Sequence, residues 1–258
     1  MIKMNRISLI IFFALFLPVI SGNCLFAQNK TICLTTDPWE PYYGPDLEKG
    51  GVFTEIVRAA FKIEGYELEV KFVPWKRALE SSKQGICSGL LGAFYTEERT
   101  HNFQYSDPIT ETRIVFITKI DKAIQYKRLQ ELSSYTIGTI RGYSYSQEFD
   151  SATYLKKEEV TTTEQNLNKL LADRIDIFID SEEVAAWLLQ KKFKEVAHLV
   201  RIIEPVYTVK KLYVPISKNI KNYQKIVNDL NNGIKKIKEN GTYEAILEHF
   251  PAAKAMAP

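Results

Sequence analysis

The chain lacks the sequence patterns by which the common classes of enzyme are identified. It contains no G-x-S-x-G nucleophile elbow, no Walker phosphate loop and no dinucleotide fingerprint. Histidine is scarce, and His101, His198 and His249 are too far apart in sequence to form a metal-binding pair at helical spacing. We therefore predict no metal and no cofactor. The absence of these patterns favours a binding protein over an enzyme.

The chain also lacks a large excess of either charge and a second long apolar run. The formal net charge is +3, and Lys3 and Arg6 are the only charged residues before residue 28, so the rest carries three less two, or +1. Basic and acidic residues alternate without forming a patch suited to nucleic acid. No internal repeat or Gly/Ser linker interrupts the chain. We expect a soluble monomer that does not bind nucleic acid.

The N-terminus has the pattern of a secretory signal peptide. A short basic region precedes an apolar run over residues 7–20, and the small residue Ala27 follows. The run is short for a membrane span, although an uncleaved anchor is the alternative. Cys24 suggests lipidation, but Asn23 stands where a lipobox has a smaller residue. We predict a signal peptide over residues 1–27 and a periplasmic protein.

Cysteine is rare, and only Cys33 and Cys87 follow the predicted cleavage site. Both lie in predicted strands of the same unit. An oxidising compartment permits a disulfide between them, and two buried thiols are the alternative. The sequence leaves this choice open.

Hydrophobic periodicity predicts an α/β arrangement in the first part of the chain. Residues 30–36 and 67–73 have strand patterns, and residues 53–63 and 75–84 have apolar side chains at helical spacing. A strand buried on both faces is predicted over residues 86–93. The order β-α-β-α-β is typical of an α/β lobe with a mostly parallel sheet.

A second unit with alternating strands and helices follows. The sequence predicts strands over residues 113–120, 135–140, 175–179, 200–203 and 211–215, and helices over residues 164–172, 182–190, 223–238 and 243–249. Gly142 is predicted to open a turn into a further helix. Asp180 or Ser181 is expected to cap the helix at 182, and Thr242 the last helix. Two α/β units joined by strands suggest a hinged pair with a cleft.

Five segments in order resemble one protein family. Residues 93–108 (AFYTEERTHNFQYSDP) resemble the G-x-T-x-T-x-E-R…F-S-x-P stretch of the family 3 periplasmic solute-binding proteins. Similar matches are residues 37–43 (DPWEPYY), 135–144 (YTIGTIRGYS), 174–180 (RIDIFID) and 240–249 (NGTYEAILEH). The resemblance implies the type II periplasmic binding fold, in which two crossing segments join two α/β lobes.

The resemblance also implies domain boundaries. The first lobe is expected to span residues 28–114 and the second residues 115–208. Residues 209–258 are expected to return to the first lobe and to add the C-terminal helices. Such a protein binds a small molecule, here an amino acid or a similar carboxylate, and works with an ABC permease or a sensor.

The family pattern assigns the two charged ends of the ligand to Arg99 and Asp180. Arg99 matches the arginine that binds the ligand carboxylate, and a guanidinium offers a planar fork to such a group. Asp180 matches the aspartate that receives the ammonium group. The alternatives are a surface arginine and an ordinary helix N-cap. Together the two residues would form a clamp that draws the lobes together.

Other positions of the family pattern suggest further contacts. Gly142, Tyr143 and Ser144 lie where backbone N–H groups at a helix start suit an anion, with a plain cap as the alternative for Ser144. The first ligand loop begins at Asp37 and contains Trp39 and Tyr42. These aromatic rings are expected either to stack on the ligand or to pack in the core.

The sequence departs from the family pattern at several positions. Phe94 replaces a threonine that binds the carboxylate, Cys87 replaces an aspartate, and Asp173 replaces a glycine. Residues 74–77 (PWKR), which include Trp75 and Arg77, place two cations in a helix first turn, against the helix dipole. An anionic ligand would relieve that conflict, and so would an ion pair between Lys76 and Glu80. An aromatic, acidic or modified ligand is therefore compatible with the sequence.

Two other functions remain open. Some relatives on this scaffold are dehydratases of cyclic acids, which would require a general acid or base in the cleft. Glu40 and Glu55 are the nearby candidates. A sensory or partner-binding module without a small ligand is the third hypothesis, which Phe94 favours and which Arg99 and Asp180 oppose.

Overall fold

The computed structural model describes residues 30–250. The signal peptide predicted over residues 1–27 lies outside the described residues. Within residues 30–250, no helix combines the length and the apolar character that crossing a membrane requires.

The described chain contains eleven strands and eight α-helices. The strands are β1 (Lys30–Thr36), β2 (Tyr66–Phe72), β3 (Gly89–Leu90), β4 (Ala93–Phe94), β5 (Phe103–Tyr105), β6 (Thr110–Lys119), β7 (Thr136–Ile140), β8 (Lys156–Val160), β9 (Ile177–Ser181), β10 (Val200–Tyr213) and β11 (Pro215–Ser217). The helices are α1 (Val52–Ile63), α2 (Trp75–Lys83), α3 (Glu97–Thr100), α4 (Gln147–Ser151), α5 (Thr163–Leu171), α6 (Glu182–Lys191), α7 (Tyr223–Glu239) and α8 (Thr242–His249).

The first lobe is built on a five-stranded sheet in the order β2-β1-β3-β11-β5. The β1 strand pairs in parallel with β2 and β3, whereas β11 pairs antiparallel with β3 and β5. The apolar face of α1 packs against β2, α7 and α8. The sheet is therefore mixed, because the returning strand β11 runs against the strands of the βαβ units.

The second lobe is built on a six-stranded sheet in the order β4-β10-β6-β9-β7-β8. The β7 strand pairs in parallel with β8 and β9, and β6 pairs antiparallel with β9 and β10. Helices α5 and α6 pack on this sheet. The predicted fold class of two α/β lobes is confirmed, with antiparallel pairs added by β11 in the first sheet and by β6 and β10 in the second.

The long strands β6 and β10 form the connection between the lobes. Their register shifts between Ile203, which pairs with Phe116, and Thr208, which pairs with Ile114. Residues 200–203 and 211–215 were predicted to be separate strands, and instead β10 runs from Val200 to Tyr213. The bulge at the shift bends the strand without ending it.

The predicted strand over residues 86–93 is wrong as one element. It divides into β3 in the first sheet and β4 in the second, with Gly92 between them at a φ of +75°. A Cβ on Gly92 would lie 2.5 Å from the Tyr43 ring. The apolar run is long enough for one strand, but a left-handed glycine turns the chain toward the other sheet.

The predicted turn at Gly142 leads into α4, which begins at Gln147 and whose N-cap Ser146 accepts a hydrogen bond from the Phe149 N–H. The prediction that Thr242 caps the last helix is wrong. The residue that precedes the last helix is Gly241, whereas Thr242 is already its first residue. In both places a glycine with positive φ forms the turn before the helix.

A disulfide joins Cys33 in β1 to Cys87, which lies just before β3, with Cα atoms 5.0 Å apart. Both cysteines belong to the first lobe. The bond closes a loop with a sequence separation of 54 and encloses α1, β2 and α2. It therefore fixes one lobe internally and leaves the connection between the lobes free.

Candidate functional site

The candidate site lies between the lobes, where the carboxyl ends of parallel strands from both sheets meet. Asp37 follows β1, and the turn that contains Gly142 follows β7. In α/β proteins, loops at the carboxyl ends of parallel strands are the usual ligand-binding positions. The topology therefore brings together segments that lie about a hundred residues apart in the sequence.

An inner cavity with a volume of about 20 Å³ lies at this junction. Its walls are formed by Asp37, Trp39, Tyr43, Trp75, Gly92, Ala93, Phe94, Arg99, Tyr143, Ser144 and Leu212. This volume is close to that of a single water molecule. Binding of anything larger requires the lobes or the wall side chains to move apart.

Arg99 contributes a buried cation to the inner cavity. It lies on α3, and its backbone N–H donates to the Thr96 hydroxyl at 3.2 Å. The guanidinium donates to the carbonyl oxygens of Phe94 (3.2 Å) and Gly142 (3.0 Å), and lies 5.3 Å from the centre of the Trp75 ring. Burial lowers the pKa of this group.

No carboxylate of the described residues forms an ion pair with Arg99, although its side chain is only 8% exposed. Buried charges in proteins are usually paired, because removal from water is costly. The two neutral carbonyls accept hydrogen bonds from two of its five N–H groups and do not compensate its charge. Arg99 is thus equipped to bind an anion that enters the cavity.

Asp37 contributes the carboxyl group of the inner cavity. Tyr143 in the second lobe donates a hydrogen bond from its hydroxyl to Asp37 Oδ2 at 2.8 Å. Burial raises the pKa of Asp37 to about 7, and the nearby charges of Asp180 and Glu40 act in the same direction. Oδ1 has no hydrogen-bond partner among residues 30–250. The group is therefore a hydrogen-bonding site whose charge changes near neutral pH.

Asp180 lies beside the inner cavity and is not one of its wall residues. The Thr163 hydroxyl donates to its Oδ2 at 2.5 Å, and the Ser181 N–H donates to its Oδ1 at 2.7 Å. Burial raises the pKa of Asp180 to about 6, and the Trp39 indole N–H opposes this shift without forming a regular hydrogen bond. Ser181 caps α6, so the N-cap alternative for Asp180 is wrong.

Aromatic rings form the apolar walls of the cavity. The Trp39 ring contacts Phe94 edge-on, with ring centres 5.9 Å apart, and Trp75 meets Tyr143 in the same manner at 5.8 Å. Tyr42 does not reach the cavity and stacks behind Trp39 at 4.6 Å. Of the two predicted stacking residues, only Trp39 faces the cavity, and Tyr42 supports it.

The turn after β7 presents acceptors where N–H donors were predicted. Gly142 has a φ of +80°, and its carbonyl oxygen accepts from both Arg99 and the Trp75 indole N–H, the latter at 2.9 Å. Ser144 lines the cavity and donates to Asp150 Oδ2 at 2.6 Å. This turn therefore connects the lobes through Gly142, and the expectation of an anion site at a helix start is wrong.

A second, outer cavity has a volume of about 310 Å³. It is lined by Pro74, Trp75, Lys76, Arg77, Glu80, Arg141 and Thr161. The predicted site residue Arg77 lies here, away from the inner cavity. Trp75 lines both cavities and forms the wall that they share.

Four residues that line the inner cavity were missed in the sequence, namely Tyr43, Gly92, Ala93 and Leu212. Tyr43 donates from its hydroxyl to the Gly92 carbonyl at 3.3 Å and lies in the predicted ligand loop. Leu212 and Lys210 come from β10, and the Lys210 ammonium lies 5.4 Å from the centre of the Phe94 ring. Burial lowers the pKa of Lys210, and the nearby Arg99 adds to this effect. A crossing strand has no local motif that would identify them.

The acid–base candidates Glu40 and Glu55 are not among the residues that line either cavity. Glu55 forms ion pairs with Arg58 and Lys49. Burial raises the pKa of Glu40. Within residues 30–250, no group of three or more histidine, cysteine, aspartate or glutamate side chains is placed to hold a metal ion.

Comparison with known proteins identifies the family of this chain and solved structures that share its fold. The family model described as bacterial extracellular solute-binding proteins, family 3, matches residues 31–252. An uncharacterised protein of Shewanella oneidensis (strain MR-1) is 28% identical over 205 residues, which are 73% of this chain and 72% of that protein.

Two solved structures are similar in fold. The substrate-binding protein of an amino acid ABC transporter matches with a TM-score of 0.71 and 21% identity, over 86% of this chain and 99% of that one. A histidine kinase sensor domain with similarity to periplasmic binding proteins matches with a TM-score of 0.76 and 17% identity, over 86% and 96%. At these identities the likeness establishes the fold alone.

Proposed function

Because the chain belongs to the bacterial extracellular solute-binding proteins of family 3, we propose that it captures a small amino-acid-like solute between its lobes for an ABC-type permease. The observation that carries this proposal is Arg99, a buried guanidinium at the cavity without a carboxylate partner. A solute carboxylate would replace the two carbonyl acceptors and supply the missing charge. The periplasm is the proposed compartment, and the protein performs no chemistry on the solute.

Asp37 is the proposed receptor for the ammonium group of the solute. Its carboxyl group lines the same cavity as Arg99, whereas Asp180 lies beside it. A cation next to Asp37 would stabilise the ionised carboxylate and lower its pKa. Asp180 then acts at longer range, since its charge already influences Asp37. The clamp would thus involve Arg99 and Asp37 more directly than Arg99 and Asp180.

Three hydrogen bonds across the cleft support closure around a solute. Arg99 and Trp75 in the first lobe donate to Gly142 in the second, and Tyr143 donates to Asp37. The inner cavity holds about one water molecule in this arrangement. Entry of a solute therefore requires opening about β6 and β10, and these contacts, or equivalents made through the solute, re-form on closure.

The proposal is tested by calorimetric titration of residues 28–258 with the proteinogenic amino acids, small carboxylates and amines. We expect Arg99→Ala to weaken binding of the identified solute at least about 30-fold, because a buried charge pair loses one partner. Asp37→Asn is expected to weaken binding of an amine-bearing solute more than Asp180→Asn. Arg128→Ala is the matched control, since that side chain is 76% exposed and lies at the Glu131 turn.

Two results would contradict the proposal. One is binding of the identified solute that Arg99→Ala weakens no more than Arg128→Ala does. The other is recovery of a chemically altered solute, detected by NMR of the small-molecule fraction, which would favour the dehydratase alternative. An uptake assay of the identified solute in cells with and without this protein tests the permease part.

A further inference from the structure

The outer cavity has the size of a binding site and shares one wall with the inner cavity. Its volume of about 310 Å³ is at the lower end of the range for small-molecule sites. The inner cavity accommodates about one water molecule, and the Trp75 side chain separates the two. A solute held at Arg99 and extending past Trp75 would reach the outer cavity.

Positive charge from both lobes surrounds the outer cavity. The first lobe contributes Lys76 and Arg77, and the second contributes Arg141. The only carboxylate among the described residues that line it is Glu80, which lies 3.4 Å from the Lys83 ammonium. The cavity is therefore surrounded by more cations than anions.

The two cations of the first lobe have no partner of their own. The ion pair between Lys76 and Glu80 that the sequence allowed is absent, since Glu80 pairs with Lys83. No hydrogen bond or ion pair of the Lys76 or Arg77 side chain is formed within residues 30–250. On the facing lobe, Arg141 donates from Nε to Glu159 at 3.1 Å. Only one of the three cations is therefore neutralised.

Cations that face each other across a closing cleft repel, and an anion between them removes the repulsion. We propose that the outer cavity binds an oxyanion group, a carboxylate or a phosphate, through Lys76, Arg77 and Arg141. This inference rests on the proposed function, because the oxyanion is taken to be the distal group of the captured solute. A free anion of the same chemistry is the other source. An anion bound here contacts both lobes and favours their closure.

The test uses calorimetric titrations at constant ionic strength with two kinds of probe. One is inorganic phosphate alone. The other is a pair of compounds that differ in a distal oxyanion, O-phospho-L-serine with L-serine and L-glutamate with L-glutamine. Each is titrated into the unmodified protein, into Lys76→Gln/Arg77→Gln, and into the control Arg174→Gln/Lys221→Gln, which removes the same charges from exposed turns outside both cavities.

We expect the anionic compound of at least one pair to bind about tenfold or more tightly than its neutral partner. Lys76→Gln/Arg77→Gln should bring that ratio close to one, and the control should keep it. Saturable binding of phosphate that only the first double variant removes also supports the site, even if no amino acid binds. In that case the oxyanion site is supported, and the proposed capture of an amino-acid-like solute is contradicted.

The inference is overturned if neutral and anionic partners bind equally and phosphate does not bind. It is also overturned if the anionic preference survives Lys76→Gln/Arg77→Gln. Amino acids that still bind through Arg99 under either result would leave the proposed function standing. Unchanged circular dichroism and melting temperature show that each variant is folded.

Discussion

The inner and outer cavities share Trp75 and differ in almost every other physical property. The inner one has a volume of about 20 Å³, is walled largely by aromatic rings, and has buried polar groups that form hydrogen bonds across the cleft. The outer one has a volume of about 310 Å³ and is lined by exposed cations, two of them unpaired. Arg77 and Arg99 are only 22 positions apart, but the charge of Arg77 is exposed to water and that of Arg99 is buried.

Burial accounts for this difference. A charge in a low-dielectric site interacts strongly with few partners, whereas water and salt screen an exposed charge. We therefore expect the inner cavity to determine whether a solute binds, and the outer cavity to tune which solute is preferred. Changes at the two places should differ in size, in pH dependence and in sensitivity to salt.

The largest effect on stability is expected from Asp37 in the inner cavity. Its pKa is raised by burial from 3.8 to about 7, so between these values the folded protein holds a proton that the unfolded chain releases. The free energy of unfolding therefore decreases as pH rises from about 4 to about 7, and this contribution is constant above. The decrease is up to about 4 kcal/mol.

Urea unfolding at a series of pH values, compared between the unmodified protein and Asp37→Asn, isolates this contribution. Asp180 titrates in both proteins, so its effect largely cancels in the difference. Asp46→Asn, at an exposed position, is the control and should leave the pH profile unchanged. A difference between the unmodified protein and Asp37→Asn that does not vary with pH would show that the inner cavity is as well solvated as the outer one.

An intermediate effect is expected for Tyr143→Phe, which removes the hydrogen bond to Asp37 across the cleft. The loss should lower the free energy of unfolding by about 1–2 kcal/mol, since a buried acceptor loses its donor. The pKa of Asp37 should rise further, because the Tyr143 hydrogen bond lowers it. Urea unfolding measures the first change, and its pH dependence the second. Tyr154→Phe, 41% exposed, is the control, and equal losses in both variants would argue against a buried contact between the lobes.

The smallest effect, with the opposite sign, is expected in the outer cavity. Lys76 and Arg77 lie in the first turn of α2, which contains no acidic residue, and their charge opposes the helix dipole. Lys76→Gln/Arg77→Gln should raise the free energy of unfolding by about 0.3–1 kcal/mol at low salt. The gain should vanish near about 1 M salt, where charges are screened within about 3 Å. A gain that persists at high salt would contradict an electrostatic cause.

The sequence predicted the parts of the fold that depend on local periodicity. Strand β1 and helices α1, α2, α5, α6 and α7 lie within one or two residues of their predicted bounds. The predicted strand over residues 86–93 failed because its division depends on the contact between Gly92 and Tyr43. Similarly, the continuity of β10 depends on pairing with β6, which lies about ninety residues earlier in the sequence.

The site was predictable where family motifs mark it and not where tertiary packing decides. Arg99 and Trp39 line the inner cavity at positions of the family pattern, and Phe94 and Trp75 line it at positions where the sequence departs from that pattern. That Asp37 lines the cavity and Asp180 does not depends on how the two lobes pack together, which no local pattern encodes. Lys76 is likewise left unpaired because Glu80 forms its ion pair with Lys83, although the sequence allows a pair with either lysine.

The position of β11 has a consequence for how the chain is assembled. This strand pairs with β3 on one side and β5 on the other, so residues 215–217 join the edge strand β5 to the rest of the first sheet. During synthesis all strands of the second sheet are complete before β11 emerges, whereas the first sheet still lacks the strand that joins β3 to β5, and the packing of α7 against α1. The disulfide between Cys33 and Cys87 connects β1 to the segment before β3, so it stabilises only the strands on one side of that gap. Truncation before residue 215 should therefore leave a folded second lobe beside an exposed, aggregation-prone half-sheet.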